Sequence, residues 1–224
     1  MTRPERIYRF TRTERLYHWA QALPFLSLLV SGGLILLERR LHHQWVPLEV
    51  LREVHQVSGI ALPVAILLVF LGGDRRRLLH NGLSALKWRP SDLKWLMLFP
   101  IHNFFPSVRV PPAGKFNPGQ KINLLAQMTM IPMFVGTGLL MWFYPGPLLP
   151  WYVHVIGFVL AVPLVAGHLF LALVNPATRI GLSGVFTGWV DGRWAREHYP
   201  LAYGAAEEPT REGAPVEVEA GKDR

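Results

Sequence analysis

The sequence predicts an all-α membrane protein, a bundle of four transmembrane helices. Three observations predict it. Of 224 residues, 50% are hydrophobic and only 17% are charged, against about 25% charged in a typical soluble domain. Four stretches of 20 or more residues contain no Asp, Glu, Lys or Arg. The basic residues gather on one side of those stretches. With 23 Lys and Arg against 15 Asp and Glu, the net charge is +8. Such a balance suits nucleic acid or a membrane surface, and the placement of the charge decides for the membrane.

The spans fall at residues 16–37, 54–73, 122–144 and 151–174. About 20 apolar residues suffice to cross a bilayer. A backbone in lipid must satisfy its own hydrogen bonds, so each span is a helix. The arginine-rich start, Arg3 to Arg15, resembles a signal peptide, but the apolar run is long and no small-residue cleavage site follows it. It reads as an uncleaved first span. Each span carries one proline, Pro24, Pro63, Pro132 and Pro163, tolerated in membrane helices and a source of kinks.

The loops give the orientation. Twenty basic residues lie before span one, between spans two and three, or after span four; three, Arg39, Arg40 and Arg52, lie on the other side. The positive-inside rule then puts both termini in the cytoplasm. Trp19, Trp142, Tyr144 and Trp151 sit near span ends, as an aromatic belt does. Residues 83–99 mix Trp, Lys and apolar side chains and fit an amphipathic interfacial segment or an ordinary loop. Residues 1–203 form one transmembrane domain. The tail, 204–224, is rich in Ala, Glu, Pro and Gly and is expected to be disordered. No internal repeat is visible.

There are no cysteines. That excludes disulfides, thiolate metal sites, Cys-ligated clusters in this chain and covalent c-type haem. Any metal must be held by histidine or oxygen. Five of the nine histidines, His42, His43, His80, His102 and His198, fall in loops or the tail; His18, His55, His154 and His168 fall in the spans. Ionisable side chains at membrane depth are costly and usually functional.

Depth pairs these four. His55 and His154 lie near the outer ends of spans two and four; His18 and His168 lie toward the inner ends of spans one and four. His154 and His168 are 14 residues apart, about 21 Å of helix rise, and return to within roughly 40° of one face. One zinc cannot reach all four. Two separate zinc or copper sites would each have two ligands where three or four are needed. Haem iron needs two, because the porphyrin supplies the rest. The pattern therefore fits two bis-histidine b-type haems within the bundle.

Small residues near the ligands, Gly32, Gly33, Ser58, Gly59, Gly136, Gly138, Gly157 and Gly167, either clear space for the rings or serve helix packing. Met128, Met130, Met133 and Met141 read as packing residues. A haem-free transporter or anchor is the competing class. It would more often carry intramembrane carboxylates or a discontinuous repeat. There is no H-E-x-x-H motif for a metalloprotease.

Several motifs resemble the cytochrome b (gamma) subunit of membrane-bound formate dehydrogenases. RFTRTERLYHW at 9–19 is similar to that family's start, with His18 at the first ligand. KFNPGQK at 115–121 resembles its N-x-G-Q-K stretch, and GWVDGRWAREHYP at 188–200 its terminal motif, with Tyr199 in place of a second histidine. The wider superfamily includes cytochrome b subunits of nickel–iron hydrogenases and thiosulfate reductases, and a hydrogenase or thiosulfate/polysulfide reductase anchor is the nearer alternative.

The resemblance implies an electron-transfer subunit in the bacterial inner membrane. Its partners would be an iron–sulfur subunit on the periplasmic side and a catalytic molybdenum or tungsten subunit, with lipid around it. Menaquinone or ubiquinone would be its electron acceptor near the cytoplasmic face; nucleic acid is not a partner. The resemblance places Asn117, Gln120 and His168 at the quinone, with Gln127 a further candidate. By residue chemistry alone, Asn117 and Gln120 can equally cap the third spanning helix.

Overall fold

Long apolar runs without partners for a free backbone become helices, and the computed structural model contains four of membrane-spanning length. It describes residues 5–105 and 107–204; the tail expected to be disordered lies, apart from Gly204, outside the described residues. In chain order, β1 (Arg6–Tyr8) precedes α1 (Arg12–Leu41) and α2 (Leu48–Gly72). Next come α3 (Arg75–Ala85), α4 (Pro90–Phe104), α5 (Pro118–Phe143) and α6 (Leu148–Leu169). A π turn (Phe170–Val174) and a 3-10 turn (Arg179–Gly181) lead to α7 (Leu182–Thr187), β2 (Trp189–Asp191), α8 (Gly192–His198) and α9 (Pro200–Tyr203).

The spanning elements are α1, α2, α5, and α6 with its π turn. Each begins three to six residues before its uncharged run. The hydrogen-bond ladder does not stop at a charged residue, whose long stem can carry the charge to the headgroups. All four prolines lie inside these helices.

The two faces of α1 reverse the pattern of a soluble helix. Its buried residues are Glu14, Gln21, Ser31 and Glu38. Its exposed ones include Leu16, Leu23, Val30 and Leu37, repeating every seventh position. Apolar side chains face outward because lipid, not water, is the surrounding solvent. The polar side chains turn inward, where protein groups can satisfy them. Glu38 shows how: its Oε1 accepts from the backbone N–H groups of Trp45 (2.9 Å) and Val46 (3.0 Å), folding the α1–α2 connection over the helix end.

The described residues divide into two compact units. One comprises residues 12–78 and 128–167 and holds most of the spanning helices. In it α1 and α2 pack along their length, joined by a hydroxyl–hydroxyl bond between Ser27 and Ser58 (2.8 Å).

The other unit comprises the described parts of 1–11, 79–127 and 168–224. β1 and β2 pair antiparallel, with Ile7 opposite Val190. Ile7, Ala113, Val190, Trp194, Ala195 and Tyr199 form its buried core. Gly188 enters β2 with φ of 92°; a Cβ there would meet the Phe10 carbonyl oxygen at 2.7 Å, so the turn requires glycine. Asp191 caps α8 by accepting from the Trp194 N–H (2.8 Å). Residues 83–99 lie in two helices, α3 and α4, broken at 86–89. Pro90 starts α4, where its missing N–H costs nothing. Trp95 is buried against Phe99 (4.2 Å, stacked), while Leu93, Met97 and Phe104 are exposed.

Candidate functional site

His55 on α2 and His154 on α6 face each other with ring centres 6.2 Å apart and planes 59° apart. Both are half-buried. The Nδ1 of His55 lies 2.9 Å from the Ser31 hydroxyl of α1. The Nδ1 of His154 lies 2.8 Å from the Thr137 hydroxyl of α5. Each hydroxyl gives its one proton to a carbonyl four residues back, Ser31 to Ser27 (2.7 Å) and Thr137 to Met133 (2.7 Å). With that proton on the carbonyl the oxygen accepts, an arrangement that suits imidazoles with hydrogen on Nδ1 and a lone pair on Nε2.

The glycine after each hydroxyl sits under the ring. A Cβ on Gly32 would lie 3.0 Å from His55 Cε1, and one on Gly138 3.7 Å from His154 Cε1. Phe134 meets the His154 ring edge-on at 5.0 Å. Gly157, on the same helix as His154, leaves room for Met133 and Phe134, both of which a Cβ there would strike.

This donor set fits haem iron. An imidazole nitrogen bonds a transition metal at about 2 Å, and each ring centre stands roughly 1 Å behind its nitrogen. One metal between two opposed rings therefore separates their centres by about 6 Å, close to what is observed. Among the described residues no three His, Asp or Glu side chains converge, so the pair offers a metal two ligands and no more.

His18 lies on α1, half-buried and edge-on to Trp19 (5.2 Å). His168 lies on α6 just before the π turn, exposed on its helix. The π turn closes through the Asn175 N–H to the Phe170 carbonyl (2.9 Å); such wide turns recur at functional sites. His18 and His168 belong to different compact units.

Asn117 and Gln120 form a reciprocal cap at the start of α5. The Asn117 N–H donates to Gln120 Oε1 (3.0 Å), and the Gln120 N–H to Asn117 Oδ1 (2.9 Å). This is a capping box, one of the two roles residue chemistry left open. Gln120 also reaches outward: its Nε2 donates to the Tyr199 hydroxyl (3.1 Å). Arg9 is buried with its guanidinium 3.5 Å from the Tyr199 ring centre and donates to the Lys115 carbonyl (3.2 Å). Its Nε and Nη1 have no hydrogen-bond partner among the described residues. The N-terminal motif, the stretch before α5 and the terminal motif thus meet at one place.

Nearby, Arg196 forks onto Glu5; that hydrogen bond holds the Glu5 carboxyl below the ordinary range. Burial pushes His198 below its usual value, against the opposing pull of the Trp194 carbonyl. Neither Ser31 nor Thr137 was evident as a functional residue from sequence. The available signal was a hydroxyl–glycine dipeptide within spans one and three. Arg9 and Tyr199 stood in quoted motifs, but nothing in their spacing showed that they stack.

Two imidazoles so paired, within helices long and apolar enough to span a membrane, fit a membrane cytochrome of the b type. Residues 9–188 match the prokaryotic cytochrome b561 family, and the chain belongs to that family. It is an integral membrane protein of a bacterial family and binds haem b. It is similar to the cytochrome b556(Fdn) subunit of the nitrate-inducible formate dehydrogenase of Escherichia coli K12: 24% identical over 216 residues, covering 91% of this chain and 93% of the relative. The cytochrome b556(fdo) subunit of formate dehydrogenase from the same organism is 24% identical over 227 residues, covering 96% of this chain and all of the relative. The resemblance read from the motifs is borne out along nearly the whole chain.

Proposed function

We propose that this chain is the di-haem membrane subunit of a formate dehydrogenase-type complex. It would link a periplasmic-side iron–sulfur subunit, served by a molybdenum or tungsten subunit, to menaquinone or ubiquinone. The opposition of His55 and His154, with both Nδ1 atoms anchored, carries the reading. Bound there, haem supplies one-electron transfer through a site that needs no net proton movement of its own.

The chain's residues divide the remaining work. His55 and His154 hold the outer group; His18 and His168 hold the inner one. Both termini face the cytoplasm, supported by the one-sided distribution of basic residues. Asn117 and Gln120 face quinone near that side. Their oxygens serve the cap of α5, so recognition of a quinone carbonyl falls to amide N–H groups, with the Tyr199 hydroxyl beside Gln120. Arg9 adds a buried positive charge against Tyr199. The four apolar runs contain no carboxylate, so charge crosses the bilayer as electrons, and protons join quinone from the cytoplasmic side.

Pyridine haemochrome quantitation tests this reading. Wild-type protein from haem-replete membranes should carry two b-type haems per chain, and His55→Ala should carry one. A His55→Ala variant that keeps both would refute the outer assignment.

A further inference from the structure

We infer that Ser31 and Thr137 are positioning residues. They lock the two outer histidines in one tautomer and lower the potential of the haem held between them. This rests on the outer-haem reading proposed above.

The two hydroxyls come from different helices, yet each repeats the same construction. Each donates to the carbonyl four residues back at 2.7 Å and meets a histidine Nδ1 at 2.8 or 2.9 Å. Each is followed by a glycine lying against the same ring. Serine and threonine in membrane helices often bond back to a carbonyl merely to satisfy themselves. That habit does not require the oxygen to face an imidazole, nor the next residue to lack a side chain, twice over.

The chemistry follows from the direction of the bonds. An Nδ1–H that donates to an oxygen makes the imidazole a stronger electron donor through Nε2. The hydroxyl is itself polarised by the carbonyl it donates to, which strengthens it as an acceptor. A stronger ligand favours ferric over ferrous iron. A carboxylate would act more strongly but would bring a charge to membrane depth. A hydroxyl tunes the ligand without one.

The test is a spectroelectrochemical titration of the α band in the full-length, haem-loaded chain, with haem-to-protein ratio and low-spin ferric EPR measured alongside. Thr137→Val keeps the shape and removes the hydroxyl; Ser31→Ala does the same with less bulk. Each should leave two haems and move one of the two titration components upward. The ferrous-to-ferric ratio at fixed potential should rise by up to about tenfold, equal to roughly 59 mV for a one-electron couple. Thr137→Ser and Ser31→Thr should restore the native potential.

Two haems with both components and the EPR signal unmoved in Thr137→Val and Ser31→Ala would overturn the inference. If Ser31→Ala loses a haem, Ser31→Thr must retain it at the native potential, and Ser31→Val must not; native behaviour of the valine variant would equally overturn it. A wild-type chain with one haem, or a His55→Ala chain with two, would instead refute the site reading beneath it.

Discussion

The α1–α2 and α5–α6 hairpins present the same three parts: a hydroxyl, the glycine after it, and a histidine on the second helix. They brace those parts differently. In the first hairpin the helices pack closely along their length and are tied by Ser27 and Ser58, so His55 is held against Gly32 by backbone proximity. In the second the contact is looser. A Cβ would have ordinary room at Gly138, and the ring is steadied by the edge of Phe134, which reaches in over Gly157. One hydroxyl–imidazole geometry is therefore reached through two unlike packings.

The strongest way to break this equivalence is to remove the imidazoles. His55→Ala and His154→Ala should each cost the same single haem, and the double variant should cost no more. Loss of two haems in the double variant would show that the histidines serve different groups.

A smaller effect separates the hairpins. Gly32→Ala should displace His55, because its Cβ would arrive 3.0 Å from the ring in a tightly packed helix pair. A penalty of about 1–3 kcal/mol is usual for such overpacking. Gly138→Ala, at 3.7 Å, should be near neutral. Thermal loss of the Soret band, measured in both variants, compares them; equal melting would remove the distinction drawn here.

Ser27→Ala should cost about 0.6 kcal/mol, the average for an interhelical polar pair in a membrane protein. It should loosen the first hairpin alone, read as faster hydrogen exchange in α1 and α2 with α5 and α6 unchanged.

The last prediction lies outside the hairpins. Burial depresses His198 from its ordinary value of 6.5, so the folded chain favours the neutral ring. Trp194, Glu197, Arg9 and His102 are the other groups that act on it. Its contribution to stability is present above pH 6.5. It is lost as pH falls from there through the folded value, because the unfolded chain binds the proton first. Protection factors in residues 192–198 should fall on acidification, after correction for the intrinsic exchange rate, and His198→Asn should flatten that dependence.

Much of the fold was legible because bilayer thickness imposes a length and charge avoids lipid. Four uncharged runs admit few other readings. The approach of His55 to His154 was legible through position, since each lies near the start of its span, the second and the fourth. The two helices across residues 75–104 were not, because short amphipathic helices and interfacial loops share a composition. Nor was the role of Gln120 settled: a side chain that caps a helix through its oxygen and reaches Tyr199 through its nitrogen shows the same sequence in either role. Ser31 and Thr137 were hidden for a different reason. Their partners lie 24 and 17 residues away, so no common spacing advertises the shared construction.

The pairing of β1 with β2 joins segments roughly 180 residues apart in the chain. It has a consequence for synthesis. At typical translation speeds the second strand leaves the ribosome on the order of tens of seconds after the first. Throughout that interval β1 is an open edge, and Arg9 waits for the tyrosine that will cover it. The terminal module therefore closes last, after every spanning segment has been made. A nascent chain that stops short lacks this clasp, however well its helices have entered the bilayer. The joint between residues 6–8 and 189–191 thus forms only once synthesis has passed the last spanning segment.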